Sequence, residues 1–167
     1  MTTAQTAESP AWYALKVFYS KAPQVQEDFR KSGHDTYLPQ MIASLLFVHC
    51  TEHQLLAYKD SHEGKMLYYT DPAAADRRKP GRIPDREMDI FRIASSLAAT
   101  DPDALYLGSD TEKLCTGDRV LVMEGLYKGA EGYVKRIRHA RKVLVAIKGV
   151  AVVALSNIHP KYLQKIS

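Results

Sequence analysis

Cysteine, net charge and long apolar runs are all scarce in this sequence. Its two cysteines, Cys50 and Cys115, form no C-x-x-C pair, so neither a zinc site nor a disulfide framework is predicted. No stretch approaches the ~20 apolar residues that a membrane span needs, and residues 1–10 lack the charged start and apolar segment of a signal peptide. We therefore expect a cytoplasmic protein with reduced thiols, no membrane contact, no metal and no cofactor.

Recognisable catalytic groupings are missing as well. Asp85, Glu87 and Asp89 cluster at a predicted helix start, where carboxylates interact favourably with the helix dipole. His49 and His53 have the spacing of two zinc ligands on a helix, but the first lacks the glutamate that follows it in an H-E-x-x-H motif. We expect a monomer that is not an enzyme. A net charge of +4 permits contact with a polyanion without indicating a DNA-coating protein.

Strand and helix patterns alternate along the N-terminal part of the chain. Aromatic and β-branched residues predict strands over 12–18, 34–38, 44–50 and 66–69. Ser20 and Thr51 are expected to cap two helices, and a third, amphipathic helix is predicted from Pro84 to Leu97. The predicted order is therefore β-α-β-β-α-β-α.

The C-terminal part has a different pattern. Residues 100–112 are polar and contain proline, which predicts a flexible linker. After a strand over 119–123, glycines at 125, 129 and 132 indicate a hairpin that needs positive φ or close backbone approach. Strands over 142–147 and 150–155 and the segment 158–166 are predicted to complete a small barrel. The many β-branched residues of these strands disfavour a helical alternative.

The glycine hairpin resembles the KOW motif of NusG-family transcription elongation factors and of some ribosomal proteins. The matching positions are Gly117, Asp118, Val120, Gly125, Lys128, Gly129 and Gly132. On pattern alone, any β-hairpin with a basic turn is the alternative. The preceding elements resemble, in order, the NGN domain of the same family. That second match rests on Trp12-Tyr13-Ala14-Leu15, Thr36-Tyr37-Leu38-Pro39, Leu46-Phe47-Val48 and Ile83-Pro84-Asp85-Arg86-Glu87-Met88.

This resemblance implies an α+β fold with two domains. The implied ranges are a disordered tail at 1–10, an NGN-type α/β sandwich with an antiparallel sheet at 11–99, a flexible linker at 100–112 and a small KOW β-barrel at 113–167. Tyr68-Tyr69, Lys79-Pro80 and Glu87-Met88 look most like the UpxY group, whose members act on capsular polysaccharide operons. The implied function is transcription elongation and antitermination.

RNA polymerase is the partner that the family implies, bound through its clamp helices. Matched by position, the contact residues are Lys16, Phe18, Ile42, Leu45, Phe47 and Tyr69. Ordinary core packing is the alternative for Leu45 and Phe47. It is the expected role of Leu46 and Val48, because alternate strand residues face opposite sides. The family also implies a ribosomal or regulatory protein as partner of the KOW domain.

Two departures from the family weaken the match. The connection at residues 40–43 is short, and Lys148 stands where housekeeping members have an aromatic contact for a ribosomal protein.

Two basic clusters predict contact with nucleic acid, either non-template DNA or nascent RNA. The first consists of Arg77, Arg78, Lys79 and Arg82, and the second of Lys135, Arg136, Arg138, Arg141 and Lys142. Solvated basic loops are the alternative for both. Tyr127 and Tyr133 lie near the second cluster in sequence, which predicts base stacking beside phosphate contacts. A KOW-containing ribosomal or RNA-binding protein is therefore the rival function.

Overall fold

The structure is a computed structural model that describes residues 9–62, 64–156 and 158–166. The chain divides into two compact units, Met1–Asp85 (unit 1) and Arg86–Ser167 (unit 2). Residues 1–8 of the predicted tail lie outside the described residues. The domain ranges given above stay predictions.

Unit 1 is built on a four-stranded antiparallel sheet with strand order β2-β3-β1-β4. The strands are β1 (Ala11–Val17), β2 (Asp35–Tyr37), β3 (Leu45–Cys50) and β4 (Met66–Tyr68), and the helices are α1 (Ala22–Lys31) and α2 (Glu52–Ser61). With the helix Asp85–Ala98, which lies almost entirely in unit 2, the observed order of elements confirms the predicted one. Both helices contribute to one apolar cluster with the sheet, α1 through Val25 and Phe29, and α2 through Leu55.

The two predicted helix caps of unit 1 differ in outcome. At α2, the Gln54 amide donates to Thr51 Oγ1 at 3.1 Å and the Thr51 amide donates to Gln54 Oε1 at 2.9 Å, which is a complete capping box. At α1, the cap position is Lys21, and the prediction of Ser20 was wrong. Ser20 has a φ of 58°, a left-handed conformation that differs from the extended backbone of an N-cap residue.

In its described residues, unit 2 contains two α-helices, a 3₁₀ turn and six strands. The chain enters it through α3 (Asp85–Ala98), followed by β5 (Leu105–Tyr106), α4 (Thr111–Leu114), β6 (Arg119–Val122), β7 (Glu131–Ile137), β8 (Ala140–Ile147), β9 (Ala151–Ala154), the 3₁₀ turn (Pro160–Tyr162) and β10 (Leu163–Lys165). The strands form one antiparallel sheet of order β10-β6-β7-β8-β9-β5. The predicted preference for strands over a helical hairpin is confirmed.

The predicted barrel is not confirmed. Within the described residues, no backbone ladder joins β10 to β5, so the sheet is open. Closing a sheet requires tilted edge strands that pair along their length. The two edge strands span only three and two residues here.

The segment 100–112, predicted as a flexible linker, carries regular structure. Leu105 and Tyr106 pair with β9, the Leu107 amide donates to the Val152 carbonyl at 2.8 Å, and α4 begins at Thr111. The polar composition suggested a linker, but backbone pairing needs no large side chains. Leu105 and Leu107 also pack against the apolar cluster of the sheet.

None of the helices in the described part of the chain combines the length and the apolar composition that a membrane span requires.

Candidate functional site

The turn between β6 and β7 holds two of the four motif glycines, and both adopt positive φ. Gly125 and Gly129 have φ of 95° and 92°. The Gly129 amide donates to the Val122 carbonyl at 2.8 Å, and the Ala130 amide donates to the Tyr127 carbonyl at 3.0 Å. Backbone hydrogen bonds therefore fix this turn.

Gly132 is needed for a different reason. A Cβ atom at this position would stand 2.2 Å from the carbonyl oxygen of Leu144 on the neighbouring strand. β7 and β8 could not pair at their present distance with any other residue there. The motif thus combines three positive-φ glycines, including Gly117 at 94°, with one close approach. For Gly125, Gly129 and Gly132 the sequence predicts one or the other. Of the remaining motif positions, Val120 is buried, and Gly117, Asp118 and Lys128 are exposed.

A polar network fixes this turn to the start of the predicted linker. Tyr127 is buried and its hydroxyl donates to Asp101 Oδ2 at 2.8 Å. A hydrogen bond with the Ser156 side chain is the largest factor that lowers the pKa of Asp101, with smaller contributions from Tyr127 and Lys142. Burial, together with the Asp101 carboxylate, raises the pKa of Tyr127. Lys142 is also buried, and its ammonium group donates to the Asp103 carbonyl at 3.2 Å.

A cavity of about 500 Å³ in unit 2 contains a second polar network that the sequence did not predict. The Glu131 side chain is only 8% exposed, accepts from Arg86 and lies 3.5 Å from Arg119. Arg119 also stands over the Tyr133 ring, 5.8 Å from its centroid. Opposite charges are thus paired inside the cavity, so it has no strong preference for an anion or a cation.

The predicted polymerase-contact residues fall into buried and accessible groups. Ile42, Leu45 and Phe47 are buried, at 6%, 2% and 0% exposure. Lys16 is exposed, and Phe18 and Tyr69 are half-buried. A partner could reach the three buried side chains only after the groups that cover them have moved. Their role in binding polymerase stays a prediction.

The two faces of β3 are separated as predicted. Leu46 and Val48 belong to the apolar cluster with α1 and α2. Because side chains alternate along a strand, Leu45 and Phe47 lie on the opposite face. There the Phe47 ring stacks on Tyr37 at a centroid distance of 6.2 Å.

The accessible residues on that opposite face form a surface that we call the β1–β4 rim, made of Lys16, Phe18, Leu67 and Tyr69. Lys16 pairs directly with Leu67, so both side chains project to the same side. Lys16 Nζ lies 5.8 Å from the Phe18 ring, and the Tyr69 amide donates to the Ala14 carbonyl at 2.9 Å. These contacts bring the four residues together.

Leu67 was not predicted from the sequence, and in the structure it is 50% exposed. Its spacing of two residues from Tyr69 could have indicated it. Tyr69 was assigned to the contact face, and a residue two positions earlier in a strand shares that face. Leu67 adds an exposed aliphatic side chain to a face that also contains the half-buried rings of Phe18 and Tyr69.

The first basic cluster is largely engaged within unit 1. Lys79 Nζ donates to Glu52 Oε1 at 3.1 Å, Arg82 donates to Ser9 at 3.2 Å, and Arg78 lies 3.7 Å from Asp76. Arg77 is exposed. Nearby carboxylates therefore reduce the positive field of this loop.

The second basic cluster divides into engaged and outward-facing members. Lys142 is buried, and Lys135 Nζ lies 3.4 Å from both the Lys113 carbonyl and Thr116 Oγ1. Arg136, Arg138 and Arg141 are exposed. The expected stacking partners are unsuited to this role, because Tyr127 is buried and Tyr133 lies under Arg119.

Comparison with known proteins shows a NusG-like fold. A solved structure described as "Domain interaction in Thermotoga maritima NusG" is 20% identical, with a TM-score of 0.51, and the match covers 95% of this chain and 98% of that one. No protein-family model matches the sequence, and no curated protein matches it either. At this identity, the likeness establishes the fold alone.

Proposed function

We propose that this protein is a NusG-like transcription elongation and antitermination factor that binds RNA polymerase. The observation that carries the proposal is the order of its two units. A four-stranded α/β unit is followed by an antiparallel unit with a KOW-type glycine turn, and the fold matches NusG over 95% of the chain. A binding role also agrees with the lack of a catalytic grouping in the sequence, so we propose that it is not an enzyme.

The β1–β4 rim is the surface that we assign to the polymerase clamp helices. It offers one exposed aliphatic side chain, two half-buried aromatic rings and a cation on one sheet face. Helices are commonly bound by a few such anchors rather than by an even spread of contacts. The adjacent residues Ile42, Leu45 and Phe47 would extend this surface if their covering moved away.

Specialisation for particular operons is the finer part of the proposal. The UpxY-like residues Tyr68-Tyr69, Lys79-Pro80 and Glu87-Met88 support a role on polysaccharide biosynthesis operons. The Tyr68 hydroxyl donates to the Arg78 carbonyl, which ties β4 to the loop that contains Lys79-Pro80. A KOW-containing RNA-binding or ribosomal protein is the second candidate, favoured by the exposed arginines of unit 2.

A retention assay with purified core RNA polymerase tests the proposal. We expect the full chain to bind polymerase and to reduce pausing in a transcription assay. Leu67→Glu should weaken binding at least about tenfold, since it places a charge in an apolar contact. Leu56→Glu is the matched control, because Leu56 is an exposed leucine on α2, and it should bind normally.

One result would reject this function, and another would reject the assigned contact surface. Retention of ribosomal RNA without polymerase would favour the second candidate. Equal binding by the two leucine variants would show that the β1–β4 rim is not the contact surface.

A further inference from the structure

The far end of the β7–β8 hairpin is a two-stranded ribbon that extends past its neighbouring strands. Pairing of β7 with β6 ends at Tyr133, and pairing of β8 with β9 begins at Leu144. The pairs beyond these points are Val134 with Val143 and then, toward the turn, Lys135 with Lys142, Arg136 with Arg141, and Ile137 with Ala140. We call this segment, residues 135–142, the arginine ribbon.

The two faces of the arginine ribbon differ. Lys135, Ile137 and Lys142 share one face, because paired residues and alternate residues project to the same side. That face contacts the rest of unit 2. Ile137 packs against the apolar cluster, and the ammonium groups of Lys135 and Lys142 donate to the Lys113 and Asp103 carbonyls. The other face presents Arg136 and Arg141, both exposed.

The outward face is electrostatically unfavourable in the absence of a partner. Arg136 and Arg141 stand directly opposite each other, and like charges in that position destabilise a strand pair. In the described part of the chain, no ion pair joins Arg136, Arg138 or Arg141 to a carboxylate. A bound polyanion would remove this repulsion.

The tip adds positive charge. Arg138 and His139 form the two-residue turn with φ of 51° and 71°. Two positive φ values are typical of the tight turn that glycine or asparagine usually occupies. Both side chains are exposed, so they extend the positive surface to the end of the ribbon.

We propose that the outward face and tip of the arginine ribbon bind the phosphate backbone of double-stranded DNA. Arginine forms paired hydrogen bonds to phosphate oxygens, and each neutralised phosphate releases a counterion. This goes beyond the proposed polymerase contact, which uses residues of unit 1.

A duplex fits this surface better than a single strand does. Single strands are held by several aromatic rings on which successive bases stack, whereas residues 136–141 contain no phenylalanine, tyrosine or tryptophan and a single imidazole, that of His139. Duplex RNA is recognised partly through its 2′-hydroxyl groups. The same segment has no hydroxyl or amide side chain.

Fluorescence anisotropy of the full chain with a short labelled DNA duplex tests the proposal. We expect binding that weakens steeply between about 50 and 200 mM salt. The double variant Arg136→Gln/Arg141→Gln should raise Kd about tenfold or more at low salt and reduce the slope of log K against log salt by about 1.8. Its Tm should not fall, because the substitutions remove a repulsion.

A control variant with the same loss of charge is Arg30→Gln/Lys31→Gln, at the exposed end of α1. It should change Kd by no more than about twofold, since charges outside the arginine ribbon make no phosphate contact in this proposal and act only through screened attraction. An equal loss of affinity in both variants would overturn the proposal. Tighter binding to single-stranded DNA or to RNA than to the duplex would overturn it as well, as would the absence of DNA binding at low salt.

Discussion

The two units differ in what holds them together. In unit 1, apolar residues of three strands pack against two helices around Phe29, Leu46 and Val48. Unit 2 has apolar residues inside its sheet as well, but buried polar groups also connect its distant segments. Tyr127 reaches Asp101, and Glu131 reaches Arg86. In unit 1, a long-range polar contact such as that of Lys79 with Glu52 is exposed.

This difference predicts how each unit responds to substitution. A cluster of aliphatic and aromatic side chains is insensitive to pH and salt but intolerant of a buried charge. Polar ties respond to the protonation of single groups. Val48→Asp tests the apolar cluster of unit 1, Gly132→Ala tests the strand spacing of unit 2, and Tyr127→Phe tests a buried polar contact of unit 2. Their expected effects decrease in that order.

Val48→Asp should have the largest effect. It places a carboxylate in the cluster between the sheet and the helices of unit 1, and we expect a loss of at least about 4 kcal/mol in the free energy of unfolding. Phe47→Asp, on the opposite face, should cost less if that face is covered by groups that can move away. Denaturant unfolding followed by circular dichroism measures both. Equal losses would mean that both faces of β3 are permanent core, and Phe47 would then be excluded as a polymerase contact.

Gly132→Ala should destabilise unit 2 by about 3 kcal/mol, because the added methyl group forces β7 away from the Leu144 carbonyl. Gly125→Ala is the matched variant. Its new methyl group would meet nothing within 4 Å, but it must adopt a φ of 95°, which costs about 1–2 kcal/mol. Thermal unfolding gives the comparison. The reverse order of stabilities would show that the backbone conformation, rather than the space between strands, limits residue choice here.

Tyr127→Phe should have the smallest effect, about 1–2 kcal/mol, through the lost hydrogen bond to Asp101. The raised pKa of Tyr127 means that the folded state favours the neutral phenol. Its stabilisation is complete below the unfolded pKa of about 10 and is lost as pH rises toward the folded pKa.

The wild-type protein should therefore lose stability above pH ~10 faster than Tyr127→Phe does. Chemical denaturation at several pH values measures this, with Tyr106→Phe as the control at an exposed tyrosine. Parallel pH profiles of wild type and Tyr127→Phe would contradict the raised pKa of Tyr127, which burial causes first and the Asp101 contact second.

Local sequence patterns were sufficient for most elements. The apolar run of β3, the Thr51 capping box and the glycine turn each depend on residues close together in the chain. The prediction of Ser20 as the cap of α1 was wrong because several residues before a helix can serve as its cap, and the backbone conformation decides among them. The short strand β5 was not predicted, because it forms by pairing with β9, which lies far along the chain.

The candidate sites were less predictable than the fold. The sequence predicted Lys142 as a nucleic-acid contact. In the structure Lys142 is buried, and its ammonium group donates to the Asp103 carbonyl. Cationic side chains look alike in a sequence, and only pairing register separates Lys142 from its exposed neighbour Arg141. Leu67 was not predicted as a site residue, because its pairing with Lys16 is visible only in the structure.

The strand β5 matters for any attempt to handle the C-terminal region by itself. β9 reads Ala-Val-Val-Ala, is buried throughout, and has β8 on one side and β5 on the other. A fragment that starts at residue 113 would leave the outer edge of β9 without a partner. Such an apolar, uncharged edge promotes intermolecular strand pairing and aggregation. A fragment that retains Leu105–Tyr106 keeps this edge covered.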